Sequence, residues 1–262
     1  ADVIHLNTVL PCSLRAARRA RRRGLPVVWF GHSTEEDFRH SFTGSDLLAP
    51  LFRRWICHCS NQAALVLTPT PYPAGLLRSY GTRPPVAALS NGVDTDFFAP
   101  DPALRAAFRQ RCGLTGGTRA VISVGHYMER KGILDFIALA RSMPQVQFFW
   151  FGYTPPSLVP RRVRKAMAQA PANLHFPGFV SQEGLREAYC GADAFVFCSH
   201  EETEGIVVLE ALACGVPVLL RDIPVYRGWL EDGVNVYKAA GTAELRLRLA
   251  ALLAGRLPDV TA

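Results

Sequence analysis

No stretch of this sequence approaches the ~20 uninterrupted apolar residues that a membrane-spanning helix needs. The longest apolar run, Ile206 to Pro217, is broken by Glu210 and reads as buried strand and helix. A soluble protein is expected. No basic-then-apolar leader opens the sequence at Ala1, so no signal peptide is expected either. The seven cysteines are odd in number and scattered, which argues against a paired disulfide framework. Cys57-His58-Cys59 has metal-binding residue types, but C-x-C is not a zinc spacing and no second ligand pair follows. Reduced thiols in a cytosolic protein are the expectation. No short repeat or low-complexity tract occurs. Charged residues make up 19% of the chain against 49% hydrophobic, too apolar a balance for disorder. The 262 residues leave room for one large or two ordinary domains.

The charge that is present is unbalanced, at +7 net, and unevenly placed. Arg15, Arg18, Arg19, Arg21, Arg22 and Arg23 form one cluster, and Arg161, Arg162, Arg164 and Lys165 a second. Basic clusters favour phosphate-rich partners: nucleic acid, anionic lipid or nucleotide. The second cluster is equally well read as a solvated helix face. The first is interleaved with Ala16, Ala17 and Ala20 and wraps its charge around most of a helix, so it is not a clean amphipathic membrane helix.

Strand-like and helix-like segments alternate along the sequence. Strands are expected at 3–6, 26–30, 65–68 and 86–89, with helices at 12–23, 47–62 and 73–80 between them. Residues 91–118 break the rhythm with Pro100, Pro102 and Gly116-Gly117, and read as a linker. Alternation then resumes, with strands at 120–124, 146–151, 194–198 and 216–221 and helices at 133–141 and 206–214. The pattern is α/β: two doubly wound, Rossmann-like domains, 1–95 and 96–262. Ligands bind such sheets at the carboxyl ends of strands, which directs attention to His32, Asn91-Gly92, Gly125-His126, Gly152-Tyr153, Gly178-Phe179 and Ser199–Gly205.

The densest signal is the run from Ser199 to Val218. A strand ends at Ser199, an acidic loop of Glu201, Glu202 and Glu204 follows, Gly205 opens a helix and Gly215 closes it. Free N–H groups at Gly205 and Ile206 suit a diphosphate. Carboxylates beside an anion site suit sugar and ribose hydroxyls, because they are strong acceptors. The bland alternative, that the three acids merely satisfy the helix macrodipole, leaves Glu210 unexplained. That carboxylate sits inside an otherwise apolar run and needs a partner.

Glu202 and Glu210 have E-x7-E spacing, and Glu-Gly-Ile-Val-Val-Leu-Glu-Ala-Leu-Ala-Cys-Gly-Val-Pro-Val (204–218) resembles the large family of retaining glycosyltransferases with the GT-B fold. Ser90-Asn91-Gly92-Val93-Asp94 with Phe97 resembles that family's domain junction. Gly125 followed by Lys131-Gly132 resembles its donor-phosphate motif, and 176–180 the loop before its nucleotide-base contacts. The resemblance implies a nucleotide-sugar donor, a UDP-hexose, bound by the C-terminal domain through Gly125, His126, Arg130, Lys131, Glu202, Gly205, Ile206, Val207 and Glu210. Phe179 and Val180 would face the base, Lys131 the diphosphate, Glu210 the ribose and Glu202 the donor sugar. His32 takes the place of the family's active-site histidine beside the transferred sugar; as a residue alone it reads equally well as a capping or packing histidine.

Two departures stand out. His126 occupies a position where the family has arginine, with Arg130 nearby to compensate. The family's first strand and Gly-rich acceptor-side loop precede Asp2, so the N-terminal domain reads as truncated. The sequence is read as lacking an Asp-x-Asp metal motif, so no cofactor or obligatory metal is expected. The 201–210 wording, Arg221-Asp222-Ile223-Pro224-Val225-Tyr226, and His32 to Arg39 with Phe42 and Gly44-Ser45 are similar to bacterial 1,2-diacylglycerol 3-glucosyltransferases. That implies transfer of glucose or galactose to a membrane lipid by an enzyme at the inner face of the cell membrane. The same chemistry on a soluble sugar acceptor, and a non-catalytic nucleotide-sugar-binding remnant, stay open. A nucleic-acid partner is not expected, because no interleaved aromatics or groove-reading elements accompany the charge.

Overall fold

The computed structural model describes residues 2–39 and 44–260. Phe42 lies outside them. The chain divides into two compact units: the segment up to Asn91 with Glu201–Glu204, and the remainder from Gly92.

The first unit is a parallel sheet in sequence order, β1 (Ile4–Leu6), β2 (Val27–Phe30), β3 (Leu65–Thr68) and β4 (Val86–Ala88). Its crossover helices are α1 (Pro11–Arg22), α3 (Ser45–Ser60) and α4 (Pro71–Ser79), with the short α2 (Glu35–Phe38) after β2. Pro11 and Pro71 occupy the first turns of α1 and α4, where no backbone donor is lost. One side of α1 (Leu14, Ala17, Ala20) packs with Val27, Trp29 and Cys59, and the arginines take the rest of its circumference.

The second unit is a six-stranded parallel sheet of order β10-β9-β8-β5-β6-β7. In sequence it runs α5 (Pro102–Arg111), β5 (Ala120–Val124), α6 (Ile133–Ser142), β6 (Gln147–Phe151), α7 (Arg161–Ala168), β7 (Leu174–Gly178) and α8 (Gln182–Gly191). β8 (Ala194–Phe197), α9 (Ile206–Ala213), β9 (Val218–Arg221), β10 (Tyr237–Ala239) and α10 (Thr242–Leu253) complete it. The central strands are apolar on both faces, as parallel strands covered by helices on both sides must be. Phe136 of α6 meets Phe148 and Trp150 edge-on, each at 5.4 Å. Strand order reverses between β5 and β8, which puts the topological switch point of the sheet at the carboxyl ends of these two strands.

Two expectations need correcting. The stretch 91–118 is not all linker, because it holds α5. Pro102, read as a breaker, stands at the first helical position, and Asp101 Oδ1 accepts from the backbone N–H of Ala103 (2.8 Å) and Leu104 (3.2 Å). Residues 176–178, read as loop, finish β7. Pro177 is tolerated there because β7 is an edge strand.

Candidate functional site

The turn after β5 is shaped by close backbone approach. Gly125 donates to Phe151 O (2.9 Å), and Trp150 Nε1 donates to Gly125 O (2.9 Å). Gly152 is at φ 129°, where a Cβ would meet Gly125 O at 2.2 Å. His126 is exposed and its Nδ1 lies 2.9 Å from Tyr153 O, so the residue in the family's arginine position is tethered to the neighbouring loop. A 3-10 turn, Glu129–Lys131, leads to Gly132 at φ 75°. A Cβ on Gly132 would lie 2.2 Å from Cys198 O, so only glycine lets this turn press against the end of β8. Arg130 O accepts from His200 N (2.8 Å) and Ser199 Oγ (3.2 Å), which stitches the β5 and β8 loops together across the switch point. Arg130 and Lys131 are both half-buried.

The helices α6 and α9 begin on either side of this point. Each is preceded by a glycine in the left-handed conformation, Gly132 and Gly205, with no side-chain cap on its first N–H groups. A Cβ on Gly205 would meet the Tyr226 hydroxyl at 2.8 Å. Ile206 is 40% exposed and Val207 half-buried. Uncapped helix N-termini are partial positive charges with donors to offer an anion.

Glu210 lies one turn further into α9 and is buried, and Tyr189 Oη of α8 donates to its Oε2 at 2.9 Å. Burial raises the Glu210 pKa, against the opposing effect of the Tyr189 bond. Burial and the Glu210 charge together hold the Tyr189 hydroxyl well above its ordinary range. The carboxylate that the sequence left in need of a partner therefore has one.

A second network went unread in the sequence. Asp135 Oδ2 accepts from His200 Nε2 and from an Arg221 guanidinium nitrogen (2.9 Å each), and its Oδ1 from Thr242 Oγ1 (2.6 Å). Burial would raise the Asp135 pKa, but the bonds from His200 and Thr242 and the Arg221 charge outweigh it and lower it. Arg221 Nε donates to Cys198 O at 3.0 Å, so the same arginine holds the end of β8. These four residues are far apart in sequence and carry no shared motif; only the sheet brings them together.

In the first unit, Glu204 is buried and accepts from Ser90 Oγ and Asn91 Nδ2 (2.5 Å each) and from Asn91 N (3.3 Å). Thr70 Oγ1 donates to Thr203 O at 3.0 Å. Glu204 is thus a correction: of the three acids offered to sugar hydroxyls, it is committed to the Ser90-Asn91 motif. Glu202 is half-buried in the same loop. His32 follows β2, is exposed, and stacks on Phe30 with centroids 4.4 Å apart. Partial desolvation of the ring lowers its pKa; the Glu204 charge opposes this and His5 adds to the lowering.

Phe179, 81% exposed, and half-buried Val180 bridge β7 and the N-cap of α8, where Ser181 Oγ accepts from Gly184 N (3.3 Å). Contrary to the expectation, the sequence does contain an Asp-x-Asp, Asp94-Thr95-Asp96. Asp94 Oδ1 accepts from the N–H groups of Asp96 (3.1 Å) and Phe97 (3.0 Å), so that carboxylate closes a turn. Among the described residues no group of three or more His, Cys, Asp or Glu is placed to hold a metal ion.

Residues 105–256 match the family model described as glycosyl transferases group 1, and residues 1–97 that of glycosyltransferase family 4. The chain belongs to the group 1 glycosyltransferases. It is 41% identical over 244 residues to the processive diacylglycerol alpha-glucosyltransferase of Acholeplasma laidlawii, covering 93% of this chain and 72% of that protein. It is 30% identical over 253 residues to the alpha-galactosylglucosyldiacylglycerol synthase of Streptococcus pneumoniae, covering 94% of this chain and 66% of that one. Among solved structures, Anabaena HepE in complex with UDP and glucose superposes with a TM-score of 0.85 at 20% identity, over 100% of this chain and 71% of its own. Sucrose-phosphate synthase from Thermosynechococcus elongatus follows at 0.84 and 20%, over 99% and 67%. The fold of this glycosyltransferase is GT-B, with two Rossmann-like parallel sheets.

Proposed function

We propose that this glycosyltransferase moves a hexose, glucose or galactose, from a UDP-sugar to a membrane lipid such as 1,2-diacylglycerol, with retention of anomeric configuration. The observation that carries this reading is the 41% identity, across 93% of the chain, to a diacylglycerol alpha-glucosyltransferase. The site chemistry supports it. Residues 96–262 form the donor side in this reading and 1–95 the acceptor side. The diphosphate lies at the switch point, where Lys131, Arg130 and the Gly205 and Ile206 amides meet the charge that develops as the sugar leaves. Positive charge fixed in advance at that spot stabilises the transition state without reorganisation. Gly125 gives the phosphates room, with His126 and Val207 at its margins. Glu210 binds the ribose hydroxyls, Phe179 and Val180 flank the base, Glu202 takes the donor sugar, and His32 stands beside the transferred carbon. No metal ion takes part in this scheme.

No helix among the described residues is long and apolar enough to cross a membrane. In this reading the enzyme reaches its lipid by docking at the inner face of the cell membrane, with the exposed α1 arginines against anionic headgroups; each basic residue near such a surface contributes about 1 kcal/mol. Product analysis with UDP-glucose and UDP-galactose over diacylglycerol vesicles tests the reading. An alpha-linked glycolipid is expected. Transfer to soluble sugars alone, or none in a chain that still binds UDP, would replace it.

A further inference from the structure

Between β5 and α6 the chain makes the short turn Glu129–Lys131, passes Gly132 at φ 75° and enters a helix with no side-chain cap. The turn closes on itself through Lys131 N to Met128 O (3.1 Å) and Gly132 N to Glu129 O (2.9 Å). Asp135 stands in the first turn of α6, where a carboxylate ordinarily serves the helix's own N–H groups. Here its bonds go sideways instead, to His200 beyond β8, to Arg221 of β9 and to Thr242 at the start of α10.

His200 grips this segment twice. Its backbone N–H donates to Arg130 O at 2.8 Å, and its Nε2 lies 2.9 Å from Asp135 Oδ2. The Asp135 carboxyl is held below its ordinary range, so it is ionised and can only accept; His200 Nε2 is therefore the donor. One residue thus brackets 130–135, the stretch that holds Arg130, Lys131 and the first amides of α6. Asp135 is a firm post for that grip. Arg221 and Thr242 hold it from the other side, and Arg221 Nε donates to Cys198 O (3.0 Å), the atom against which Gly132 is pressed. The Arg221 guanidinium also offsets a carboxylate charge that would oppose an anion at the start of α6. Tying α6 to β9 and α10 needs only Arg221 and Thr242. The His200 side chain is 47% exposed, so burial does not account for its place either.

We propose that His200 is a positioning residue for the donor diphosphate: by clamping 130–135 at both ends it holds Arg130, Lys131 and the first α6 amides ready for the phosphates before the donor arrives. This rests on the reading that the diphosphate lies at the switch point. Every residue ordered in advance is an entropy cost that binding does not bear. The clamp acts on phosphate recognition alone, because base and ribose are held elsewhere in that reading, at Phe179, Val180 and Glu210.

The test titrates UDP and uridine into the whole chain and its variants. H200A and H200N, whose side chains do not reach Asp135, should lose about tenfold in UDP affinity, the worth of one well-placed hydrogen bond, and keep wild-type affinity for uridine. H200Q, whose amide nitrogen reaches as far as Nε2 and donates to the same carboxylate, should restore UDP binding. Hydrogen exchange at the 131–135 amides should quicken in H200N and return in H200Q, with the β5 and β8 amides unchanged. K131A serves as the reference for the phosphate site. Wild-type UDP affinity in H200A and H200N, with K131A weakened, overturns the clamp and leaves the phosphate site standing. Equal losses for uridine and UDP, or no recovery in H200Q, also overturn it, since either makes His200 a general structural residue. Wild-type UDP affinity in K131A as well removes the diphosphate reading and the clamp with it.

Discussion

Replacing Glu210 by glutamine separates a donor-binding carboxylate from a structural one. The glutamine carbonyl can still accept from Tyr189 Oη, the bond observed at 2.9 Å, so the link between α8 and α9 survives. What disappears is a buried negative charge. If that charge holds ribose hydroxyls, its loss removes a charge-assisted hydrogen bond worth about 1.5–3 kcal/mol, and UDP affinity falls roughly tenfold to 150-fold. Stability should move the other way. Burial raises the Glu210 pKa in the folded chain. From the ordinary glutamate range up to that raised value, the folded chain holds a proton that the unfolded chain releases. Stability from this group is therefore full in acid and lost as pH rises. Glutamine carries no such loss, so the melting temperature of E210Q should gain on the wild type between pH 4 and pH 7. Calorimetric titration with UDP and paired thermal melts read the two effects. An unchanged dissociation constant would remove Glu210 from the donor site, and a melting difference that shifts against the variant as pH rises would refute the burial argument.

Gly132→Ala should destabilise the chain by about 2–4 kcal/mol, combining left-handed strain with a Cβ pressed onto backbone; the contact in question is 2.2 Å from Cys198 O, and a denaturant midpoint equal to wild type would show that the turn can back away from β8. Transfer activity should survive EDTA, since Asp94, in the sequence's Asp-x-Asp, closes a turn; activity abolished by the chelator and restored by Mn²⁺ would overturn the metal-free scheme. Changing Arg18, Arg19, Arg22 and Arg23 to glutamine should weaken binding to anionic vesicles and flatten its salt dependence. Equal binding of the unaltered chain to neutral and anionic vesicles would remove the electrostatic part of docking.

Periodicity and turn residues were enough to establish the α/β alternation, because parallel strands buried on both faces must be apolar runs and their crossovers must be helices. They misjudged 91–118, where prolines at a helix start look like prolines in a linker. The family resemblance misjudged 176–178, where an edge strand tolerates a proline that a central strand would not. The acidic loop, the glycine before α9 and the odd carboxylate at 210 were all visible in the sequence. Their division of labour was not. Spacing places Glu202, Glu204 and Glu210 in one motif, yet Glu204 is spent on Ser90 and Asn91 and Glu210 is held by Tyr189. Those partners lie up to 114 residues away, on elements whose neighbours are set by sheet order. The same is true of Asp135 with His200, Arg221 and Thr242, and of α1 with α3. Local sequence determines which backbone conformations and which residue types are available along the chain. Which carboxylate is satisfied and which loop is stitched to which depend on contacts between distant segments, and only tertiary packing makes those.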